Sequence, residues 1–369
     1  MYILQNERRK NEMNSERKVS EKVLLYDPMF DESLKQASQR REKSKGRRIF
    51  LVAFIVVSVV ASIYFSFYSL ERDRYVYKET DNGIMFSQFS GREEDKVLFV
   101  DYLRDENGKN PDTSNPVKSV REYTVNCNEY LRYIYIAKYV EKIETTSFFT
   151  VNNLYGIFVE EGNEHYTVID GILYETEDGK PVKSIISPAK RGYALTAESL
   201  GAKLPSSPDE VDEFLKFCEE NAEEIDKAYE EFRFAVKLPE TLKTVGQLTF
   251  AYNEKIKEIV LPEGLEEIEE MGMFRCWQME TIDFPSTLKK LGSDAMSYCG
   301  EVKYIFVPRS VTEIGHHAFY GCGAEQIHME MSEDEVKDKV ELGDGWAPEI
   351  RNVFMKRVPI LYNQKKEVK

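Results

Sequence analysis

Prolines recur along this chain at Pro239, Pro262, Pro285 and Pro308, each 23 residues after the one before. Apolar residues keep phase with them. Three residues beyond each proline stand Leu242, Leu265, Leu288 and Val311; six beyond, Val245, Ile268, Leu291 and Ile314; eleven beyond, Phe250, Met273, Met296 and Phe319. Asn253, Cys276, Cys299 and Cys322 follow at fourteen; Ile256, Met279 and Val302 at seventeen; Ile259, Ile282 and Ile305 at twenty; Leu261, Phe284 and Val307 at twenty-two. Such a period leaves few folds open, because a unit of this size cannot bury its own apolar face, whereas stacked units share one continuous core. The expectation is a solenoid.

The same frame runs through two earlier units that lack the proline. With Ala137 in its slot, Val140, Ile143, Phe148, Val151, Leu154, Ile157 and Val159 fall into register. With Ser114 there, Val117, Val120, Val125, Asn128, Leu131, Ile134 and Ile136 do so. Two repeat blocks result, at 114–162 and 236–329. The apolar positions at seventeen, twenty and twenty-two have the L-x-x-L-x-L spacing of a short strand pointing alternate residues inward. Positions nineteen and twenty-one then face out: Tyr133 and Tyr135, Gly156 and Phe158, Glu258 and Val260, Thr281 and Asp283, Tyr304 and Phe306. Aromatic residues exposed on neighbouring rungs mark a binding surface. Tyr133, Tyr135, Phe158, Glu258, Thr281, Asp283, Tyr304 and Phe306 are the candidate ligand-binding residues. The alternative is that an inserted helix covers the aromatic ones within the chain.

That insertion occupies 163–235. Asp170-Gly171 and Asp178-Gly179 set hairpin turns. Ser207-Pro208 then opens a helix in which Val211, Phe214, Leu215, Cys218, Ala222, Ile225, Tyr229 and Phe232 recur at helical spacing, with acidic residues opposite. Its apolar face is expected to dock on the solenoid, a partner helix being the other reading. Residues 71–113, where Tyr75 to Phe89 alternates around Asp81-Asn82-Gly83, are expected to cap the first block with strands. Residues 330–369, beginning with the capping box Ser332-x-x-Glu335, are expected to cap the last.

Charge divides the chain. Residues 1–48 hold 13 Lys and Arg against 8 Asp and Glu, and everything after Leu70 holds 37 against 57. A body that acidic repels phosphate backbones, which argues against nucleic-acid binding. Between the two parts, Ile49 to Leu70 contains no charged residue; 22 residues at about 1.5 Å each cover the ~30 Å hydrocarbon core of a bilayer. The segment reads as one transmembrane helix contacting lipid. Arg40, Arg41, Lys43, Lys45, Arg47 and Arg48 on its N-terminal side place the 1–48 tail, read as mostly disordered, in the cytoplasm and residues 71–369 outside the cell.

Catalytic constellations are missing from the sequence: no nucleophile elbow, phosphate loop or dinucleotide fingerprint occurs. His316 and His317 are adjacent and point apart, and His165 and His328 lie near no ligand cluster, so neither metal nor cofactor is expected. Cys276, Cys299 and Cys322 share one repeat position, where sister units carry Asn or Val, which argues for a buried ladder of thiols.

The stretches LPEGLEEIEEMGMFRCWQMETI and VPRSVTEIGHHAFYGC resemble the repeat of the BspA-like leucine-rich-repeat proteins, L-P-x-x-[LV]-x-x-I-G-x-x-A-F-x-x-C. EGNEHYTVIDGILYETEDGK is similar to the hairpin insert of that family, and SEDEVKDKVELGDGWAPEIRNVFM to its closing unit. The resemblance covers about 114–190 and 236–356. It implies an α/β leucine-rich-repeat solenoid, surface display, binding of protein or peptide, and no enzymatic activity. The expected function is a membrane-anchored extracellular recognition or adhesion module. A signalling or envelope-assembly subunit, coupling an outside partner to the cytoplasmic tail, is the second reading.

Overall fold

The computed structural model describes residues 74–105, 108–125, 128–148, 151–347 and 358–366. All belong to one compact unit, 73–369. The candidate membrane segment 49–70 lies outside the described residues, as does the 1–48 tail. Among the described residues no helix is long and apolar enough to cross a membrane.

The sequence period reappears as strand register. Val236 pairs with Ile259, Glu258 with Thr281, Tyr133 with Gly156 and Ser119 with Lys142, all in parallel. Each offset is 23 residues, so one repeat makes one rung. Outer strands at Val97–Val100, Tyr133–Ile136 and Gly156–Val159 form the first block's sheet; in the second block, Phe234–Lys237, Ile256–Val260 and Thr281–Ile282 form one three-stranded sheet, and Tyr304–Val307, Gln326–Met329 and Ile360–Leu361 form another. Two-residue strands at Thr244–Val245, Glu267–Ile268, Lys290–Leu291 and Glu313–Ile314 form a second ladder on another side of each rung.

A third ladder has no strands at all. At each turn, alternate N–H groups donate to carbonyls of the next repeat: Phe250 to Gly272, Tyr252 to Phe274, Met273 to Ala295, Arg275 to Ser297, Tyr298 to Tyr320, all at 2.8–2.9 Å. Stacked turns thereby satisfy backbone groups that a lone repeat would leave to water.

Between the three ladders lies the core. Leu242, Leu265, Leu288, Val245, Ile268, Leu291, Phe250, Met273, Met296 and Phe319 are all fully buried. A separate cluster fills the first block around Ile134, Ile136, Val140 and Leu154. The hairpin insert joins them. Its strands, Tyr166–Ile169, Ile172–Glu177 and Lys180–Ile186, pair antiparallel through turns in which Asp170-Gly171 and Asp178-Gly179 have positive φ, the geometry of a type I′ turn. The strand of 180–186 then pairs in parallel with Thr244–Val245. Ile172 and Tyr174 enter the second block's core while Leu173 enters the first.

After the hairpin the chain forms helix α1 (Arg191–Ser199), α2 (Val211–Glu220) and α3 (Ala222–Glu231). The single helix expected from the apolar spacing is thus two, broken at Asn221, whose φ of −118° leaves the helical region and whose side-chain amide donates to the Phe217 carbonyl at 2.8 Å. Helix α1 was absent from that expectation; its small buried residues, Gly192, Ala194 and Ala197, give it a weak apolar pattern. At the far end, helix α4 (Glu333–Lys339) begins with the capping box closed in both directions: Glu335 N–H donates to Ser332 Oγ at 3.2 Å and Ser332 N–H to Glu335 Oε2 at 3.0 Å.

Candidate functional site

On the first block, the outward residues of the strand rungs meet the helices. Tyr133 is only 3% exposed. Its ring stacks on Phe158 at 5.2 Å and takes the edge of Phe214 from α2 at 6.4 Å. Tyr155 stacks on Tyr193 of α1 at 5.6 Å, and Tyr193 meets Tyr229 of α3 edge-on. Ala194, Ala197, Val211, Phe214, Cys218 and Ile225 complete this satellite core, where burial pushes the Cys218 thiol up to about 11. The expectation of Tyr133 and Phe158 as an open stripe is therefore corrected: both serve as the floor for the inserted helices. Tyr135 lies outside that cluster, half-buried against Phe99 at 5.8 Å, with its hydroxyl pushed up to about 12 by burial and by Glu160.

The second block's strand face is open in places. Glu258 is half-buried and accepts from Thr281 Oγ1 at 3.4 Å, and Val260 is 41% exposed. Asp283 is exposed and faces the Lys366 ammonium at 3.7 Å. Tyr304 is half-buried, its ring edge-on to His328 at 4.5 Å. Phe306 is 4% exposed, which corrects its expected place on the surface. Of the eight candidate residues, Tyr133 and Phe158 touch each other and Glu258 touches Thr281; the set as a whole makes no single patch.

The turns carry a different aromatic row. Leu248, Met271, Asp294 and His317, and four residues later Tyr252, Arg275, Tyr298 and Gly321, all have φ between 53° and 67°. Left-handed backbone costs a non-glycine residue about 1–2 kcal/mol, and here the interlocking of successive turns holds it. Aligned left-handed turns stack their side chains along the solenoid. Tyr252 meets Phe274 at 5.7 Å, Phe274 meets Tyr298 at 5.8 Å, and Tyr298 meets Tyr320 at 5.6 Å, each edge to face. Trp277 joins at 5.7 Å from Tyr298, and His317 at 5.4 Å from Tyr320. In the middle lies Arg275, its guanidinium 5.2–5.7 Å from the rings of Tyr252, Phe274, Trp277 and Tyr298. Its Nε is buried without a hydrogen-bond partner, as is Gln278 Oε1 three residues further on. Trp277 and Tyr320 are 40% and 43% exposed.

Sequence reasoning missed this row because it looked for outward positions only on strands. The signal was present as aromatic residues twelve or thirteen positions past each proline. The spacing alternates between 22 and 24, since Tyr252 and Tyr298 occupy one position and Phe274 and Tyr320 the other.

Reactive groups are quiet. The thiols of Cys276, Cys299 and Cys322 donate to the carbonyls of Phe250, Met273 and Met296 at 3.3, 3.2 and 2.8 Å, one rung back. Burial pushes those of Cys299 and Cys322 well up, so they stay protonated. Asn253, at the same repeat position, instead donates to the Ser187 carbonyl at 3.3 Å, in the polar seam where the hairpin joins the second block. Among the described residues no group of His, Cys, Asp and Glu could hold a metal.

Residues 229–340 match the BspA type leucine rich repeat region, in six copies. Among solved structures, a leucine-rich repeat protein from Eubacterium ventriosum is 16% identical, with a TM-score of 0.44, over 70% of this chain and 65% of that one. The pneumococcal vaccine antigen PcpA is 13% identical, with a TM-score of 0.41, over 79% and 88%. A leucine rich cell surface protein from Faecalibacterium prausnitzii is 16% identical, with a TM-score of 0.35, over 74% and 71%. The chain spans just under two thirds of the length of the first of these. No curated protein matches its sequence. With their 23-residue register and stacked thiols, residues 229–340 are similar to BspA type leucine rich repeats.

Proposed function

We propose that this chain is a membrane-anchored recognition module, held by residues 49–70 with its N-terminal tail in the cytoplasm, which binds an extracellular protein or peptide on the turn row of the second block. The observation that carries the reading is the row Tyr252, Phe274, Trp277, Tyr298 and Tyr320 around the unpaired Arg275. Trp, Tyr and Arg are the residue types that dominate binding energy at protein interfaces, and rings held edge to face by their own neighbours lose little entropy on binding. Solenoids present such extended surfaces to partners, and Trp277 and Tyr320 in this row are exposed among the described residues. Glu258, Thr281 and Asp283 on the strand side supply a polar rim to a partner large enough to wrap the edge.

The test is capture of extracellular proteins by the full chain in lipid nanodiscs, followed by titration of the captured protein. The double variant Trp277→Ala/Tyr320→Ala is expected to lose tenfold or more in affinity, with Tyr135→Ser unchanged. Equal affinity of the double variant and the parent would remove the turn row as the binding surface. Trypsin added to intact cells tests the orientation: it is expected to digest residues 71–369 and to spare the 1–48 tail.

A further inference from the structure

A cavity of about 300 Å³ opens where the strand of 156–159, the Asp170-Gly171 turn and helix α1 meet. Its walls are mainly apolar, with Tyr155, Phe158, Val168, Leu195 and Leu204 among them, and its one charged lining residue is Arg191. Cavities of this size with a few convergent polar groups are typical small-ligand sites.

The placement of Arg191 is unusual for a structural arginine. Arg104 is paired with Asp101 at 2.6 Å and Arg309 with Glu335 at 2.5 Å, but the Arg191 guanidinium makes no ion pair and no hydrogen bond among the described residues. Burial works against its charge, and Asp170, Tyr174 and Glu198 support it only through space. It is also the first residue of α1, at the positive end of a helix, where a cation is disfavoured. Its position is nonetheless fixed. A Cβ on Gly171 would lie 1.6 Å from Arg191 Nη1, so the guanidinium rests against the bare backbone of the hairpin turn. The two features that make this cation costly, desolvation and the helix end, are both relieved by an anion in the cavity.

We propose that this cavity binds a small ligand with an apolar body ending in one carboxylate, held by the Arg191 fork. A guanidinium matches a carboxylate in two parallel hydrogen bonds, and a single cation with Asp170 and Glu198 nearby suits one negative charge better than a phosphate's two. The apolar walls take the body. A free organic acid and the C-terminus of a peptide share this chemistry.

The experiment is calorimetric titration of the full chain in lipid nanodiscs with 3-phenylpropionate, with its uncharged amide, and with acetyl-Gly-Gly-Phe bearing a free C-terminus. The acid is expected to bind at least tenfold more tightly than the amide, and Arg191→Gln to abolish that preference. The same variant is expected to leave the melting temperature unchanged or raise it, because it removes an unpaired, desolvated charge; a structural arginine would lower it. Arg191→Lys, which keeps the charge and loses the fork, is expected to fall between. Tight binding of the peptide identifies a chain terminus as the source, and binding of the small acid alone identifies a free acid. Equal binding of acid and amide, no binding of either acid or peptide, or a lowered melting temperature in Arg191→Gln overturns the proposal. Because none of these readouts involves Trp277 or Tyr320, the proposal fails or stands independently of the turn row.

Discussion

The two repeat blocks are built on the same rung yet present opposite outsides. On the strands of the first, Tyr133 is buried and Phe158 half-buried beneath the inserted helices; on the turns of the second, Trp277 and Tyr320 are 40% and 43% exposed. The rung dictates which residues leave the core and does not dictate whether they reach water. That depends on what the chain inserts between rungs. One aromatic outward position therefore acts as a core residue and another as a surface.

The largest expected break in this contrast is Phe214→Ala. It strips the ring that sits edge-on to Tyr133 and Tyr155 and is expected to cost about 3 kcal/mol or more of stability. Hydrogen exchange of the inserted helices then accelerates while that of the second block stays slow. Tyr304→Ser is intermediate. It removes a half-buried ring at 4.5 Å from His328 and is expected to cost about 1 kcal/mol, measured by chemical denaturation. Acid acts at the C-terminal cap. Glu335 is held down to about 2 by the Ser332 N–H and by Lys339 and Arg309, below its ordinary 4.5. Its contribution is therefore complete above about pH 4.5 and is lost as pH falls through that window towards 2. Glu335→Gln is expected to flatten this part of the stability profile. The smallest stability effect is expected for Trp277→Ala, within about 0.5 kcal/mol by thermal melting, because the ring is largely outside the core. A loss as large as that of Phe214→Ala would show that the turn row is structural.

How much of this was legible in the residues follows from which parts are periodic. Leu265, Ile268, Met273 and their counterparts recur at fixed phase because every rung buries the same positions, so core and register could be read directly. The apolar face of Val211, Phe214, Cys218 and Ile225 was legible too, since helices keep their own period. Its docking partner was not. Tyr133 looks the same in a sequence whether a helix covers it or water does, and only the return path of the chain decides. The turn row escaped for another reason: left-handed residues break the two-fold alternation of a strand, so facing cannot be assigned to Phe274 or Tyr298 by counting. Arg191 gave no signal at all, because an unpaired cation is recognisable only by what fails to approach it.

The strand Ile172–Glu177 has a consequence for folding. Repeat proteins tend to unravel piecemeal, each unit answering only to its neighbours. Here Ile172 and Tyr174 are committed to one core and Leu173 to the other, so a slip of a single residue would exchange their destinations and damage both. Such a strand ties the blocks into one cooperative transition, melting together where an uninterrupted solenoid would fray from its ends.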